Sequence, residues 1–307
     1  MAHFKRLLCA SLVFAALPAV QGEAHCPGNV PGLTLRLVQN SLMVAPIEMN
    51  HAGPYDFVID TGAQVTTIEP SLAAELGLKV LGTTGVTGVA TFARTAYSYL
   101  ESIEAGQHSV PHAIAVIQEM PQLKAADPRI RGILAANFIE HFDILIDNRQ
   151  KIMCLDESGT LASALKGEHI ALAQPVGSQT DLPFTRPILI SARLSSFEKT
   201  PLLLRLDSGS NAPLLYANES GLQNQAGTSK PALKRVVNGV EQFFAVLPPQ
   251  EIHVGNHSLK HLSFVMPLNA AGNGARPRED GLLPTMAFQS VFISCSRGYV
   301  SLQPWQP

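Results

Sequence analysis

Short apolar or alternating segments dominate the chain, and Gly, Pro, Asn and Asp separate them at close intervals. Alternation of apolar and polar residues, or a short apolar run between turn residues, is typical of β-strands. The pattern predicts strands at residues 33–38, 42–49, 55–59, 113–117, 142–146, 186–194 and 202–206. It also predicts a helix at 70–76, where Pro70 suits the first helical position and Gly77 the stop, and a shorter helix at 136–141. The chain is therefore expected to be mainly β.

Four landmarks occur twice in the chain, in the same order. Two apolar segments each end in an Asp-Thr/Ser-Gly sequence, and their aspartates, Asp60 and Asp207, lie 147 residues apart. The segments 86–89, 103–110 and 132–134 recur 149 to 151 residues later, at 237–240, 252–259 and 281–283. Repetition at a nearly constant spacing indicates an internal duplication.

With these two segments the chain resembles the retropepsin-like aspartic peptidases, with both half-sites on one exported, bacterial-type polypeptide. The resemblance implies a pepsin/retropepsin-like (acid protease) fold, in which two pseudo-twofold-related lobes flank a central cleft. Residues 27–160 are expected to form the N-terminal lobe and 183–307 the C-terminal lobe. The interlobe linker is placed at 161–182, which lies in a stretch with few periodic signals.

The resemblance implies that Asp60 and Asp207 form a catalytic dyad. Two carboxylates held a few ångströms apart cannot both ionise easily, so at moderate acidity the pair keeps one proton. The ionised partner then takes a proton from water, while the protonated partner hydrogen-bonds the carbonyl of a peptide substrate. The predicted function is therefore peptide hydrolysis by an aspartic endopeptidase.

The neighbours of the aspartates have expected supporting roles. Gly62 and Gly209 permit a tight turn in which backbone N–H groups approach the carboxylates. The resemblance implies that the hydroxyls of Thr61 and Ser208 hydrogen-bond across the lobe interface. Two further glycines are expected at the tips of flap hairpins that close over a bound peptide: Gly88 and Gly239.

The sequence departs from the family's pattern behind the catalytic turns and beside one aspartate. Ala135 and Pro284 stand where the family usually has glycine, so the packing behind each turn is expected to differ. Arg205 lies two residues before Asp207, where strand periodicity directs both side chains to one face. A cation there favours the ionised carboxylate and opposes proton sharing. The alternative is that Arg205 turns aside to meet an acidic partner.

The N-terminus has the layout of a secretory signal peptide. Lys5 and Arg6 precede an apolar stretch at 7–20, and small residues follow, so residues 1–22 are expected to be removed on export to the periplasm or the exterior. Three cysteines remain after cleavage, which permits one disulfide and leaves three pairings open. They are Cys26, Cys154 and Cys295.

Charge and composition limit the partners. The net charge is −2 with signs mixed along the chain, which does not favour nucleic acid or an anionic membrane surface. The protein is expected to be a monomer whose partner is an extended peptide or protein, with no cofactor and no stable membrane insertion after signal removal. His253, His257 and His261 are four residues apart, but Gly255-Asn256 would break a helix there, so no metal site is expected. A catalytically inactive peptide-binding protein and another kind of hydrolase, using a metal or a serine, remain as alternatives.

Overall fold

A computed structural model describes residues 25–88, 91–173, 187–195, 201–216, 233–237, 240–268 and 279–306. The predicted signal peptide, Gly239 and residues 174–186 around the end of the predicted linker lie outside the described residues.

The described residues form 23 strands and four short helices. In the first half the strands are β1 (Gly32–Thr34), β2 (Arg36–Val38), β3 (Leu42–Met49), β4 (Ala52–Ile59), β5 (Thr66–Ile68), β6 (Gly82–Gly88), β7 (Thr91–Ala105), β8 (His108–Ile117), β9 (Ile130–Leu134), β10 (Asp143–Asp147) and β11 (Ile152–Asp156). They continue with β12 (Ile170–Ala171), β13 (Leu189–Leu194), β14 (Leu202–Asp207), β15 (Leu214–Leu215), β16 (Leu233–Val237) and β17 (Val240–Val246). The last are β18 (Gln250–Val254), β19 (His257–Leu262), β20 (Val265–Pro267), β21 (Gly281–Pro284), β22 (Phe288–Ser294) and β23 (Tyr299–Pro304). The helices are α1 (Pro70–Glu75), α2 (Pro121–Ala126), α3 (Ala136–Ile139) and α4 (Thr160–Ala164), with 3₁₀ turns at Pro27–Asn29 and Thr285–Ala287. The prediction of a mainly β chain is confirmed.

Three sheets organise these strands. An eight-stranded sheet has the order β2-β3-β4-β9-β5-β8-β7-β6, and a nine-stranded sheet has the order β16-β17-β20-β15-β21-β14-β13-β18-β19. The third sheet, β1-β11-β10-β22-β23-β12, takes strands from both halves of the chain. Its central pair is antiparallel β10 and β22, with Leu145 opposite Phe292. The two halves are therefore joined by backbone hydrogen bonds as well as by side chains.

One hydrophobic core runs through all three sheets. Phe57 and Ile59 of β4, Leu204 and Leu206 of β14, and Ile293 of β22 are fully buried in the same cluster. Burying one such side chain stabilises the fold by roughly 1.5–3 kcal/mol. Because Ile59 and Leu206 are held in this core, Asp60 and Asp207, which directly follow them, have fixed positions.

Local sequence signals fix several elements. Strand β3 has the predicted bounds, and α1 begins at Pro70 as expected and ends one residue early, before Gly77 at φ +64°. The predicted strand at 33–38 is split into β1 and β2 at Leu35, whose N–H turns to the carbonyl of Lys151 at 2.8 Å.

The helix predicted at 136–141 is shorter than expected. It ends at Ile139. The N–H of Glu140 still bonds four residues back, to Ala136, but the N–H groups of His141 and Phe142 bond three residues back and tighten the chain toward β10.

A disulfide ties the N-terminal segment to the third sheet. Of the three possible pairings, the structure forms Cys26–Cys154, with a Cα–Cα distance of 5.8 Å, which joins the first 3₁₀ turn to β11. Cys295 is the free thiol among the described residues, and burial raises its pKa to about 11. A thiol with a raised pKa is a poor nucleophile near neutral pH.

The segment after β11 contacts a hairpin of each half. Glu157 lies 3.3 Å from Nδ1 of His108 in β8, and Glu168 lies 3.7 Å from Nε2 of His257 in β19. Helix α4 begins at Thr160, one residue before the predicted linker, and strand β12 falls inside that linker and pairs with β23. In the parts of the chain covered by the structure, no helix combines the length and the apolar character needed to cross a membrane.

Candidate active site

Each Asp-Thr/Ser-Gly segment folds into a turn that anchors its own carboxylate. The N–H groups of Gly62 and Ala63 donate to Oδ1 of Asp60 at 2.8 and 2.9 Å. The N–H of Gly209 donates to Oδ1 of Asp207 at 2.8 Å. Each carboxylate is therefore held through one oxygen by the backbone that follows it.

The two turns meet so closely that each glycine faces the carboxylate of the other turn. A Cβ atom added to Gly62 would lie 2.5 Å from Cγ of Asp207, and one added to Gly209 would lie 2.5 Å from Cγ of Asp60. Carbon atoms in contact normally lie about 3.5–4.0 Å apart. The absence of a side chain at both glycines thus lets the two carboxyl groups approach each other.

A reciprocal set of hydrogen bonds locks the turns together. The N–H of Thr61 donates to Oγ of Ser208, and the N–H of Ser208 donates to Oγ1 of Thr61, both at 3.0 Å. The hydroxyl of Thr61 donates to the carbonyl of Leu206 and that of Ser208 to the carbonyl of Ile59, both at 2.8 Å. Thr61 and Ser208 are almost fully buried. Both hydroxyls therefore act as donor and acceptor across the contact between the two turns.

We expect Ser208→Ala and Thr61→Val each to lower the free energy of unfolding by roughly 1–3 kcal/mol. Either change leaves a buried N–H and a buried carbonyl without the hydroxyl that bonds them. The free energy spent on removing these two groups from water is then not offset by a hydrogen bond. Chemical denaturation of both single variants and the double variant measures the effects. Because the residues share one network, the double variant should lose less than the sum of the singles. Strict additivity would contradict a coupled network.

The electrostatics of the pair favour retention of one proton. Burial raises the pKa of Asp207, and the neighbouring charge of Asp60 raises it further. Burial also raises the pKa of Asp60, against the opposing effect of the N–H donors at Ala63 and Gly62. Asp207 is 8% exposed, whereas Asp60 is only partly buried. The carboxyl groups thus titrate as one unit that resists losing its second proton.

Arg205 reaches the pair from the strand before Asp207. Its Nη1 donates to the carbonyl oxygen of Gly62 at 2.6 Å, and its Nη2 lies 2.6 Å from Oε1 of Glu279. Its charge lowers the pKa of both Asp60 and Asp207. The structure therefore combines the two alternatives left by the sequence, because Arg205 has an acidic partner and also lies beside the aspartates.

Glu279 is a site residue that sequence reasoning did not find. It is 4% exposed and lies 74 residues after Arg205, in a segment without periodic signals. The one available clue was the need of a partly buried arginine for a counter-charge.

Strands from later in each half support the turns from behind. Strand β9 runs parallel to β4, and β21 runs parallel to β14. In the first half the N–H of Asp60 donates to the carbonyl of Leu134 at 2.9 Å, and Asn137 Oδ1 accepts two hydrogen bonds from Thr66. The departures from the family's pattern have different outcomes, since α3 follows Ala135 but a 3₁₀ turn follows Pro284.

Hairpins occur where flaps were predicted. Gly88 ends β6 and pairs with Thr91 of β7, while Val237 pairs with Val240 between β16 and β17. Gly239, the predicted tip of the second hairpin, lies outside the described residues.

The His253 and His257 side chains lie on the two strands of one hairpin, β18 and β19. Where the structure describes the chain, no group of three or more His, Cys, Asp or Glu residues is arranged to hold a metal ion.

Comparison with known families supports a peptidase. A family model described as aspartyl protease matches residues 45–138. The match runs from β3 to α3 and contains Asp60, and it ends before Asp207. No curated protein matches the chain. The match indicates a hydrolase of the peptidase class.

Proposed function

We propose that this protein is an aspartic endopeptidase in which Asp60 and Asp207 share a proton and activate a water molecule. The observation that carries the proposal is the reciprocal contact between each catalytic turn and the opposite carboxylate. Placing the partly buried carboxyl group of Asp60 against the buried one of Asp207 is costly for folding, and perturbed carboxyl pairs of this kind cluster at functional sites.

The geometry supports a division of labour between the two groups. The ionised carboxylate accepts a proton from water, and the resulting nucleophile attacks the carbonyl carbon of the peptide bond. The protonated carboxyl group donates a hydrogen bond to the carbonyl oxygen. A proton then passes to the leaving nitrogen as the C–N bond breaks, and water has been added across the bond. Thr61 and Ser208 act by keeping the turns in register.

The proposal includes two lobes related by a pseudo-twofold axis. The contacts between halves come in exchanged pairs, as in an isologous twofold interface. In β10 and β22, Asp143 lies opposite Ser294 and Asp147 lies opposite Ser290, so each pair becomes the other after a shift of 147 residues. Strand pairings also recur, since β5 is antiparallel to β9 as β15 is to β21. These repetitions support two lobes with the same arrangement of strands.

An extended peptide is the proposed substrate. Among the described residues, strand β6 lies at the edge of the eight-stranded sheet, and no described strand pairs with its outer backbone groups. A peptide bound in an extended form satisfies such groups, and its alternate side chains enter pockets that set specificity. Because both aspartates come from one chain, we propose that the protein acts as a monomer.

A peptide-library digest with the purified protein tests the proposal. Cleavage at acidic pH that is blocked by a statine-type transition-state analogue is the expected result. Asp60→Asn protein serves as the matched control and should release products at least about a hundredfold more slowly. Binding of peptides without cleavage would instead favour an inactive peptide-binding protein. Cleavage that resists the statine but stops with a chelator or a serine-directed reagent would overturn the aspartic mechanism.

Export is a separate proposal, and it rests on two observations. Lys5 and Arg6 precede an apolar stretch in the order typical of a signal peptide, and the Cys26–Cys154 disulfide needs an oxidising compartment. We expect the mature protein to begin near Glu23 or His25 and to be periplasmic or secreted. N-terminal sequencing of protein from the native host measures this. An intact Met1 on cytoplasmic protein would contradict it.

A further inference from the structure

We propose that Arg205, oriented by Glu279, is a positioning residue that makes the two aspartates unequal, so that Asp60 is the ionised partner and Asp207 the protonated one. This inference rests on the proposed function, since it assigns the roles of base and acid within the same dyad.

A single peptide group connects Arg205 to Asp60. The guanidinium donates to the carbonyl oxygen of Gly62 at 2.6 Å, and the N–H of Ala63 donates to Oδ1 of Asp60 at 2.9 Å. That carbonyl and that N–H belong to one amide. A cation bound to the amide oxygen withdraws electron density from the nitrogen and makes its N–H a stronger donor. The negative charge on Asp60 is therefore stabilised both directly and through this amide.

The corresponding position of the first half holds a different kind of residue. Val58 occupies the place of Arg205, two residues before Asp60, and it is 2% exposed. It packs in an apolar cluster with Val44 and Ile130. The reciprocal contacts between the two turns thus do not extend to the position held by Val58 and Arg205. The amide that Arg205 polarises donates its hydrogen bond to Asp60. The proton shared by the pair consequently resides on Asp207.

The other ionisable groups around Arg205 fit this assignment. Glu279 pairs with Nη2 and partly offsets the guanidinium charge. Asp280 is engaged by the N–H of Leu203 at 2.8 Å. Burial raises the pKa of Tyr216, and the charges of Glu279, Arg205 and Asp207 also act on this pKa. Tyr216 therefore remains neutral. The charge closest to the dyad is therefore positive, with a negative charge behind it.

Removing the two members of the ion pair separately distinguishes this inference from a purely structural role. Arg205→Met should move the acidic limb of the kcat/KM profile to higher pH, by about one pH unit. Glu279→Gln should move it to lower pH, because the arginine charge is then no longer offset. Arg205→Lys keeps the charge and should hold the limb near its wild-type position. If the ion pair serves stability alone, Arg205→Met and Glu279→Gln should move the acidic limb in the same direction or leave it in place.

A titration that needs no turnover makes the test independent of the proposed activity. The carboxyl carbons of ¹³C-labelled aspartate in the free protein can be followed by NMR, with Asp60→Asn and Asp207→Asn used for assignment. We expect Asp60 to titrate in the lower step, and Arg205→Met to raise that step. If Asp207 titrates in the lower step, the inference is overturned. It is also overturned if Arg205→Met and Glu279→Gln shift the lower step in the same direction. If the titration behaves as expected but no peptide is cleaved, the assignment stands and the proposed function fails.

The double variant Arg205→Met/Glu279→Gln covers the case in which a single variant does not fold. It leaves no unpaired buried charge. Its lower step should still move to higher pH, because Arg205 itself contacts the first turn. A double variant that titrates as the wild-type protein does would also overturn the inference.

Discussion

Asp60→Asn and Asp207→Asn are each expected to reduce kcat/KM by about 10²–10⁴-fold, the usual contribution of a general acid or base. An amide can neither take a proton from water nor supply one to the leaving group, so the remaining carboxyl group cannot complete the cycle. Initial rates on one peptide found in the library digest measure the loss. A variant that kept more than about a tenth of wild-type kcat/KM would contradict the dyad.

The same variants should keep the fold. Asparagine retains one carbonyl oxygen, which can accept the backbone N–H bonds that hold Oδ1 of Asp207. Burial raises the pKa of Asp207, so the native state binds this proton more tightly than the unfolded chain does. The contribution of Asp207 to stability therefore falls as pH rises from about 4, the ordinary value for aspartate, to about 8, its raised pKa in the native state. Asp207→Asn removes this loss, and its Tm near neutral pH should equal or exceed that of the wild-type protein.

Features encoded by nearby residues were predictable from the sequence. The bounds of β3 follow from an apolar run between turn residues, and those of α1 follow from Pro70 and Gly77. The two Asp-Thr/Ser-Gly turns were recognisable for the same reason, since carboxylate, hydroxyl and glycine occupy consecutive positions. The contact between the turns was expected from the family resemblance, and the hydrogen bonds of Thr61 and Ser208 have that form.

Features that depend on distant pairing were not predictable. The choice of Cys26–Cys154 depends on β1 lying beside β11 in the third sheet. The third sheet itself depends on β10 meeting β22, and nothing in either strand's own pattern identifies its neighbour. Glu279 is the most consequential example, because a glutamate in an irregular segment carries no local sign that an arginine 74 residues earlier needs it.

Gly62→Ala and Gly209→Ala are expected to reduce kcat/KM by at least about a hundredfold without unfolding the protein. Each new methyl group would lie 2.5 Å from the opposite Cγ, roughly 1 Å inside normal contact. The opposite carboxylate, which a backbone N–H holds in place, must then move by about that amount. A displacement of 1 Å in a catalytic group costs on the order of 10²-fold in rate. Neither glycine has a positive φ, so alanine meets no backbone obstacle at either position.

Gly77→Ala is the matched control for these two variants. Gly77 has a φ of +64° and nothing within 4 Å of its added Cβ, so alanine there meets strain in the backbone but no clash. It should lower stability by about 1–2 kcal/mol and leave kcat/KM unchanged. Steady-state kinetics and denaturation on all three variants separate the two effects. If Gly62→Ala or Gly209→Ala keeps full activity, the close approach of the carboxyl groups is not required, and the mechanism that depends on their shared proton is wrong.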